Sequence, residues 1–103
     1  MISMPTVYTV EEIQRIIAPI AEEHGVRSVA LFGSYSKGTA RQGSDLDLKI
    51  EKGRLKTLYQ LCGFRLALED ALHIPVDLVT SESSDQDFLN AIKEDEVLLY
   101  HGS

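Results

Sequence analysis

An α/β fold, a small mixed β-sheet flanked by helices, is what this sequence predicts, on three observations. Apolar residues recur at helical spacing in two long segments, 9–24 and 55–72. Short β-rich runs lie between and after them, at 26–32, 44–51 and 76–80. Helix and strand alternate in the order αβ(α)βαβα, an order that packs helices against one sheet.

Each element has its own signal. Thr9-Val10-Glu11-Glu12 is a capping-box pattern, and it opens an apolar stripe at Ile13, Ile16, Ile17, Ile20 and Ala21. Pro19 inside that stripe predicts a kink or a break, and His24-Gly25 ends the helix. Val26 to Phe32 reads as a strand, Gly33 opens a turn, and Ser34 to Ala40 reads as a short helix or turn. Ser44 to Glu51 alternates as a second strand until Lys52-Gly53 breaks it. Leu55 to Leu72 forms the second long helix. His73-Ile74-Pro75 is a turn, Val76 to Thr80 a third strand and Ser81 to Ser84 a polar loop. Asp87 to Glu94 reads as a last helix, Val97 to Tyr100 as a closing apolar tail, and the end around His101 as frayed.

The helix over 55–72 carries two apolar arcs. Leu55, Leu58, Tyr59, Cys62 and Leu66 form one; Leu61, Phe64, Leu68 and Leu72 form the other. Together they exceed the stripe of roughly 100° or more that one core contact uses. Core burial of both arcs and a partner interface on one of them both stay open.

A length of 103 residues predicts a single domain, 1–103, with one core. With 44% hydrophobic and 25% charged residues, the composition is that of a soluble globular protein. No apolar run approaches a membrane span, and no signal peptide is legible. Cys62 is the single cysteine and has no internal partner for a disulfide; its apolar neighbours predict a buried thiol in a reducing, cytoplasmic setting. Residues 1–68 hold nine Lys/Arg against seven Asp/Glu, whereas residues 69–103 hold Lys93 alone against nine acids. A net charge of −6 disfavours direct nucleic-acid binding. The acidic end is either a solvated surface or a docking face for a basic protein.

The chemistry concentrates in Leu31 to Ile50. On a strand, side chains alternate between faces, so Asp45, Asp47 and Lys49 share one face and Leu46, Leu48 and Ile50 share the other. The leucine face is the core face. Asp45 and Asp47 then stand roughly 6–7 Å apart at Cα, close enough to raise one another's pKa unless a cation lies between them. Hard oxygen ligands are what Mg²⁺ prefers. Val76-Asp77-Leu78-Val79 supplies a third acid, and a helical crossover places its strand parallel and close to the second. Three acids on one sheet face make a candidate metal site. Gly33-Ser34 supplies the complement, a turn where backbone N–H groups can meet a phosphate. Lys37 and Arg41 add cations nearby. A phosphate turn beside a carboxylate metal site reads as a nucleoside triphosphate site. His24 and His73, by contrast, read as helix-end caps, and Tyr35 is either pocket-lining or on the surface.

Gly33-Ser34, ten residues, then Asp45-Leu46-Asp47 matches the G-S-x10-D-x-D signature of the DNA polymerase β nucleotidyltransferase superfamily. Lys37-Gly38, Ala40-Arg41, Ser44 and the Asp77 strand extend the match, and the chain resembles a minimal nucleotidyltransferase (MNT) domain of palm-like fold. The resemblance implies ATP as donor and two Mg²⁺ held by Asp45, Asp47 and Asp77, which are the catalytic set. It implies phosphate or nucleotide contacts from Gly33 and Ser34, with Lys37, Arg41 and Ser44 in the same motif. It also implies a helical HEPN partner, toxin to this antitoxin, with AMP transferred to a partner tyrosine. Lys49 departs from the family pattern, which is apolar there; it either weakens metal binding or pairs with a nearby acid. An MNT protein that silences its partner by occlusion alone, and an enzyme acting on a small molecule, remain as alternatives. The sequence leaves homo-oligomerisation open.

Overall fold

The structure, a computed structural model, describes residues 7–41, 43–81 and 86–102, the side chain of Phe88 excepted. Helix α1 (Val10–His24) opens on a complete capping box. Glu12 N–H donates to Thr9 Oγ1 at 3.1 Å, and Thr9 N–H donates to Glu12 Oε1 at 2.8 Å. Gly25 closes the helix in the left-handed region, with φ 75°, and returns its N–H to Ala21 and Glu22. Of the kink or break expected at Pro19, the break does not occur, and α1 runs through the proline. It lies on the exposed side, while Ile13, Ile17 and Ala21 fix the opposite side in the core.

Strand β1 (Ser28–Phe32) follows, then the single turn α2 (Ser34–Lys37) and strand β2 (Leu46–Glu51). Both strands start two residues later than the sequence suggests. Val26 N–H is still bonded to Ala21 in the helix cap, and Ser44 is occupied in a turn with Arg41. Helix α3 (Leu58–Leu72) also starts late, where Thr57 and Gln60 form a second capping box; Leu55 is buried in the loop ahead of it. Strand β3 (Val76–Thr80) falls where predicted, and helix α4 (Gln86–Lys93) within a residue of its prediction. The polar loop expected at 81–84 lies, past Ser81, outside the described residues.

The chain then departs from expectation. Val97–His101 is no tail but strand β4, antiparallel to β1, with His101 opposite Ser28. Gly102 N–H donates to Arg27 C=O at 2.7 Å, so the segment read as frayed is tied to the sheet. Without β4 the outer edge of β1 would present unpaired backbone groups.

The sheet order is β3-β2-β1-β4. β1 pairs antiparallel with β2 and β4, whereas β2 and β3 are parallel, joined through α3. Leu46, Leu48 and Ile50 of β2 join Val29 and Leu31 of β1 and Ile13, Ile17, Phe64, Leu68 and Leu72 of the helices in one core. α1 and α3 therefore cover one face, which leaves the Asp47 face to other chemistry. Among the described residues no helix is long and apolar enough to cross a membrane.

The two arcs of α3 have separate fates. Phe64, Leu68 and Leu72 are wholly buried, while Leu58 is 75%, Tyr59 87% and Leu66 56% exposed. Cys62 sits on the outer arc and is exposed, correcting the expectation of a core thiol. Two positions from Phe64 is about 200° around the helix. Leu68→Ala should therefore cost about 2–5 kcal/mol of unfolding free energy, and Leu66→Ala no more than about 0.5 kcal/mol. Equal losses in a urea titration would mean that α3 is rotated from the position described.

Candidate nucleotide and metal site

The parallel register pairs Leu46 with Val76, Asp47 with Asp77 and Leu48 with Leu78. Apolar partners go to the core, so Asp47 and Asp77 project together from the opposite face, on strands about 4.8 Å apart. Asp45 precedes β2 by one residue and is exposed, as is Asp77; Asp47 between them is half-buried. The Asp47 carboxyl is held above the usual carboxylate range, first by burial, then by the charges of Asp77 and Asp45. Among the described residues no three acidic, histidine or cysteine side chains are already drawn into a metal cage. The three aspartates form a mutually repelling set of oxygen donors, the chemistry that suits a hard divalent cation.

Gly33 connects this set to the turn. Phe32, the last residue of β1, pairs with Asp47, so the next residue lies directly against the Asp47 side chain. Gly33 has φ 78° and ψ −153°, a region open to glycine alone. A Cβ there would collide with Asp47 Oδ2 and lie 3.2 Å from Asp47 Cγ. Thus the glycine is required twice, by its backbone and by its neighbour.

After Gly33 the chain makes the single helical turn of α2, beginning at Ser34. Lys37 N–H and Ser36 Oγ both donate to Gly33 C=O, at 3.2 and 3.1 Å, and Gly38 closes the turn in the left-handed region. The N–H groups at the start of such a turn have no intrahelical acceptor. Tyr35 does not lie on the surface; it is 4% exposed and packs in the core. Burial, and secondarily Tyr8, raises its phenol pKa.

The remaining motif residues are placed differently. Lys37 reaches Asp95 at 3.5 Å, an exposed pair. Arg41 is exposed. The Ser44 hydroxyl accepts from Arg41 N–H at 2.9 Å, and Ser44 N–H donates to Arg41 C=O at 2.9 Å, which closes the loop before Asp45. His24 and His73 act as helix-end groups, as predicted. His24 Nδ1 contacts Ile20 C=O at 2.9 Å, and His73 caps α3 in the left-handed region with φ 61°. Lys49 pairs with Glu96. That partner was not foreseen, because nothing local in the sequence marks β4 as a strand running beside β1.

A groove of about 280 Å³ runs along the outer edge of β3, lined by Asp77 and by Leu58, Leu61, Cys62 and Arg65 of α3. A larger cavity of about 460 Å³ lies between His24 and the outer arc of α3, and it includes none of the three aspartates.

Residues 14–103 match the polymerase beta nucleotidyltransferase family. A Methanocaldococcus jannaschii protein whose name is "putative protein adenylyltransferase" is 38% identical over 74 residues, 72% of this chain and 80% of the relative. The protein adenylyltransferase MntA of Thermococcus cleftensis is 34% identical over 79 residues, 73% of this chain and 80% of the relative. Among solved structures, the complex of a tri-AMPylated Shewanella oneidensis HEPN toxin with an MNT antitoxin contains a chain of the same fold. Its TM-score is 0.70 at 19% identity, covering 91% of this chain and 74% of that one.

Two outcomes follow from the geometry. Asp47 is more easily protonated folded than unfolded, so the native state binds more protons as pH passes from the ordinary carboxylate range to the raised value. Stability should therefore fall with rising pH across that window. Asp47→Asn should flatten this fall and raise the melting temperature in metal-free buffer at neutral pH; a lower melting temperature would show that the carboxylate is stabilised by its surroundings. Gly33→Ala should cost about 1 kcal/mol or more, since its φ is positive and its methyl group would displace Asp47. An alanine variant as stable as the parent in urea would contradict the packing described.

Proposed function

The chain belongs to the polymerase β nucleotidyltransferase family, and we propose that it transfers AMP from ATP to a tyrosine hydroxyl of a HEPN-type partner, with Mg²⁺. The observation that carries this reading is the placement of Asp77 opposite Asp47, with Gly33 packed on the Asp47 carboxylate. One element presents acids, the adjoining one presents a backbone turn, and the two touch.

Asp45, Asp47 and Asp77 would hold two Mg²⁺, which, when bound, neutralise the acids and the developing charge on the triphosphate. Gly33 and Ser34 grip the outer phosphates through the turn, with Lys37, exchanged from Asp95, as a cation beside them. Lys37 meets that acid on the exposed surface, where an ion pair is weak. In the transfer, the acceptor oxygen bonds to the α-phosphorus, the α–β bridging P–O bond breaks, and pyrophosphate leaves. The hydroxyl proton passes to Asp77, on the side from which the acceptor enters. The contribution of the chain is chiefly position and electrostatics.

The exposed arc of α3 supports a protein acceptor. Leu58, Leu61 and Cys62 line the groove that ends at Asp77, so a partner seated on α3 has its surface next to the reacting atoms. The relatives named protein adenylyltransferases, and the AMPylated HEPN toxin bound to an MNT protein, support the same chemistry. A reducing, cytoplasmic setting suits the exposed thiol of Cys62.

With ATP, Mg²⁺ and a HEPN partner, the partner's mass should rise by one or more AMP units on tyrosine. Asp77→Asn should abolish the increase and leave the complex intact on a sizing column. A partner silenced with no change in mass, and silenced equally well by Asp77→Asn, would establish occlusion in place of catalysis.

A further inference from the structure

Lys49 stands two residues after Asp47 and on the same face, where its ammonium group would compete with a divalent cation for the carboxylates. That group is engaged by Glu96 Oε1, and the two side chains are shielded alike, at 22% and 20% exposure. They do not come from neighbouring strands. Lys49 lies in β2, Glu96 immediately precedes β4, and β1 runs between them. Two strand spacings amount to about 10 Å, a gap that two long side chains together can close. Ala30 of β1, 3% exposed, pairs with Lys49 on one side and Leu98 on the other, and Glu96 precedes Leu98 by two residues, one step further toward the level of Phe32 and Asp47. Asp95 of the same turn meets Lys37 as well, but on the exposed surface, where solvent screens the pair.

We propose, on the metal-dependent reading above, that Glu96 is a positioning residue: it draws the Lys49 ammonium away from Asp47 and Asp77 and so leaves their face open to a divalent cation. An amide at position 96 keeps the size of the side chain and removes its charge. Lys49 is then free to turn to Asp47, roughly 6–7 Å away at Cα. At that range, with the partial screening of a half-buried site, a unit charge changes cation affinity on the order of tenfold.

The test is Mn²⁺ binding to the full chain without nucleotide, read by loss of the free-ion EPR signal. Glu96→Gln should weaken binding on the order of tenfold, whereas Lys49→Met should bind as tightly as the parent or more tightly. The double variant Lys49→Met/Glu96→Gln should recover parental affinity, a rescue that a merely structural role for the pair would not give. Opposite signs from the two single changes mark the effect as electrostatic. The proposal is overturned if Glu96→Gln binds Mn²⁺ as the parent does, if Lys49→Met weakens binding, or if the double variant stays weak. Should Glu96→Gln not fold, Lys49→Met and the double variant still decide. A parent chain that binds no Mn²⁺ refutes the metal site itself, an outcome distinct from a parent that binds while Glu96→Gln matches it.

Discussion

The parallel pairing of β2 with β3 is the constraint on which the rest depends. It sets Leu46 and Leu48 beside Val76 and Leu78, and by the same register it sets Asp47 beside Asp77. A slip of one residue would bring Asp77 to the apolar face and Leu78 to the acid face. The hydrophobic core therefore enforces the repulsion between the carboxylates, since Leu46, Leu48 and Ile50 are wholly buried and cannot exchange faces with the acids. Burial stabilises the fold, and the same fold holds like charges together, ready for a cation. Structural stability and the candidate chemistry are two consequences of one pairing.

The antiparallel pairing on the other side of β2 adds the turn at Gly33-Ser34, the proposed phosphate site. β1 ends at Phe32 opposite Asp47, so whatever follows must turn at the acid, and only a glycine fits there. Spacing along the chain is thus set by sheet geometry: strand, turn, return strand, with the first acid pair arriving beside the turn. The acids at the end of α4 complete the charge pattern. Glu96 engages Lys49 in a shielded pair while Asp95 meets Lys37 on the exposed surface, so one acid of the C-terminal third, Glu96, faces in across the sheet.

Much of this was legible in the residues. Period-two alternation in 46–50 assigned the faces correctly, the Thr9 capping box located the start of α1, and the crossover over 55–72 implied the parallel pair, although the Thr57 capping box that starts α3 went unread. What escaped was non-local. Val97–His101 looks like an apolar tail until the open edge of β1 is known, and the Glu96–Lys49 pair depends on that strand order. Tyr35 follows the signature serine yet turns into the core, and Cys62 has apolar neighbours yet lies on the exposed arc. A side chain's direction on a short turn, or on a helix apolar almost all round, is fixed by what packs against it. Composition carries no record of that.

Sheet register, more than the abundance of acids, would create the proposed cation and nucleotide site. Paramagnetic broadening by substoichiometric Mn²⁺ in an amide ¹H–¹⁵N spectrum tests it directly, because nine of the sixteen acids lie in residues 69–103. The amides of Gly33, Ser34, Asp45 to Asp47 and Asp77 should broaden first. Broadening that begins instead at Glu94-Asp95-Glu96, with the Gly33 and Asp47 signals intact, would contradict it.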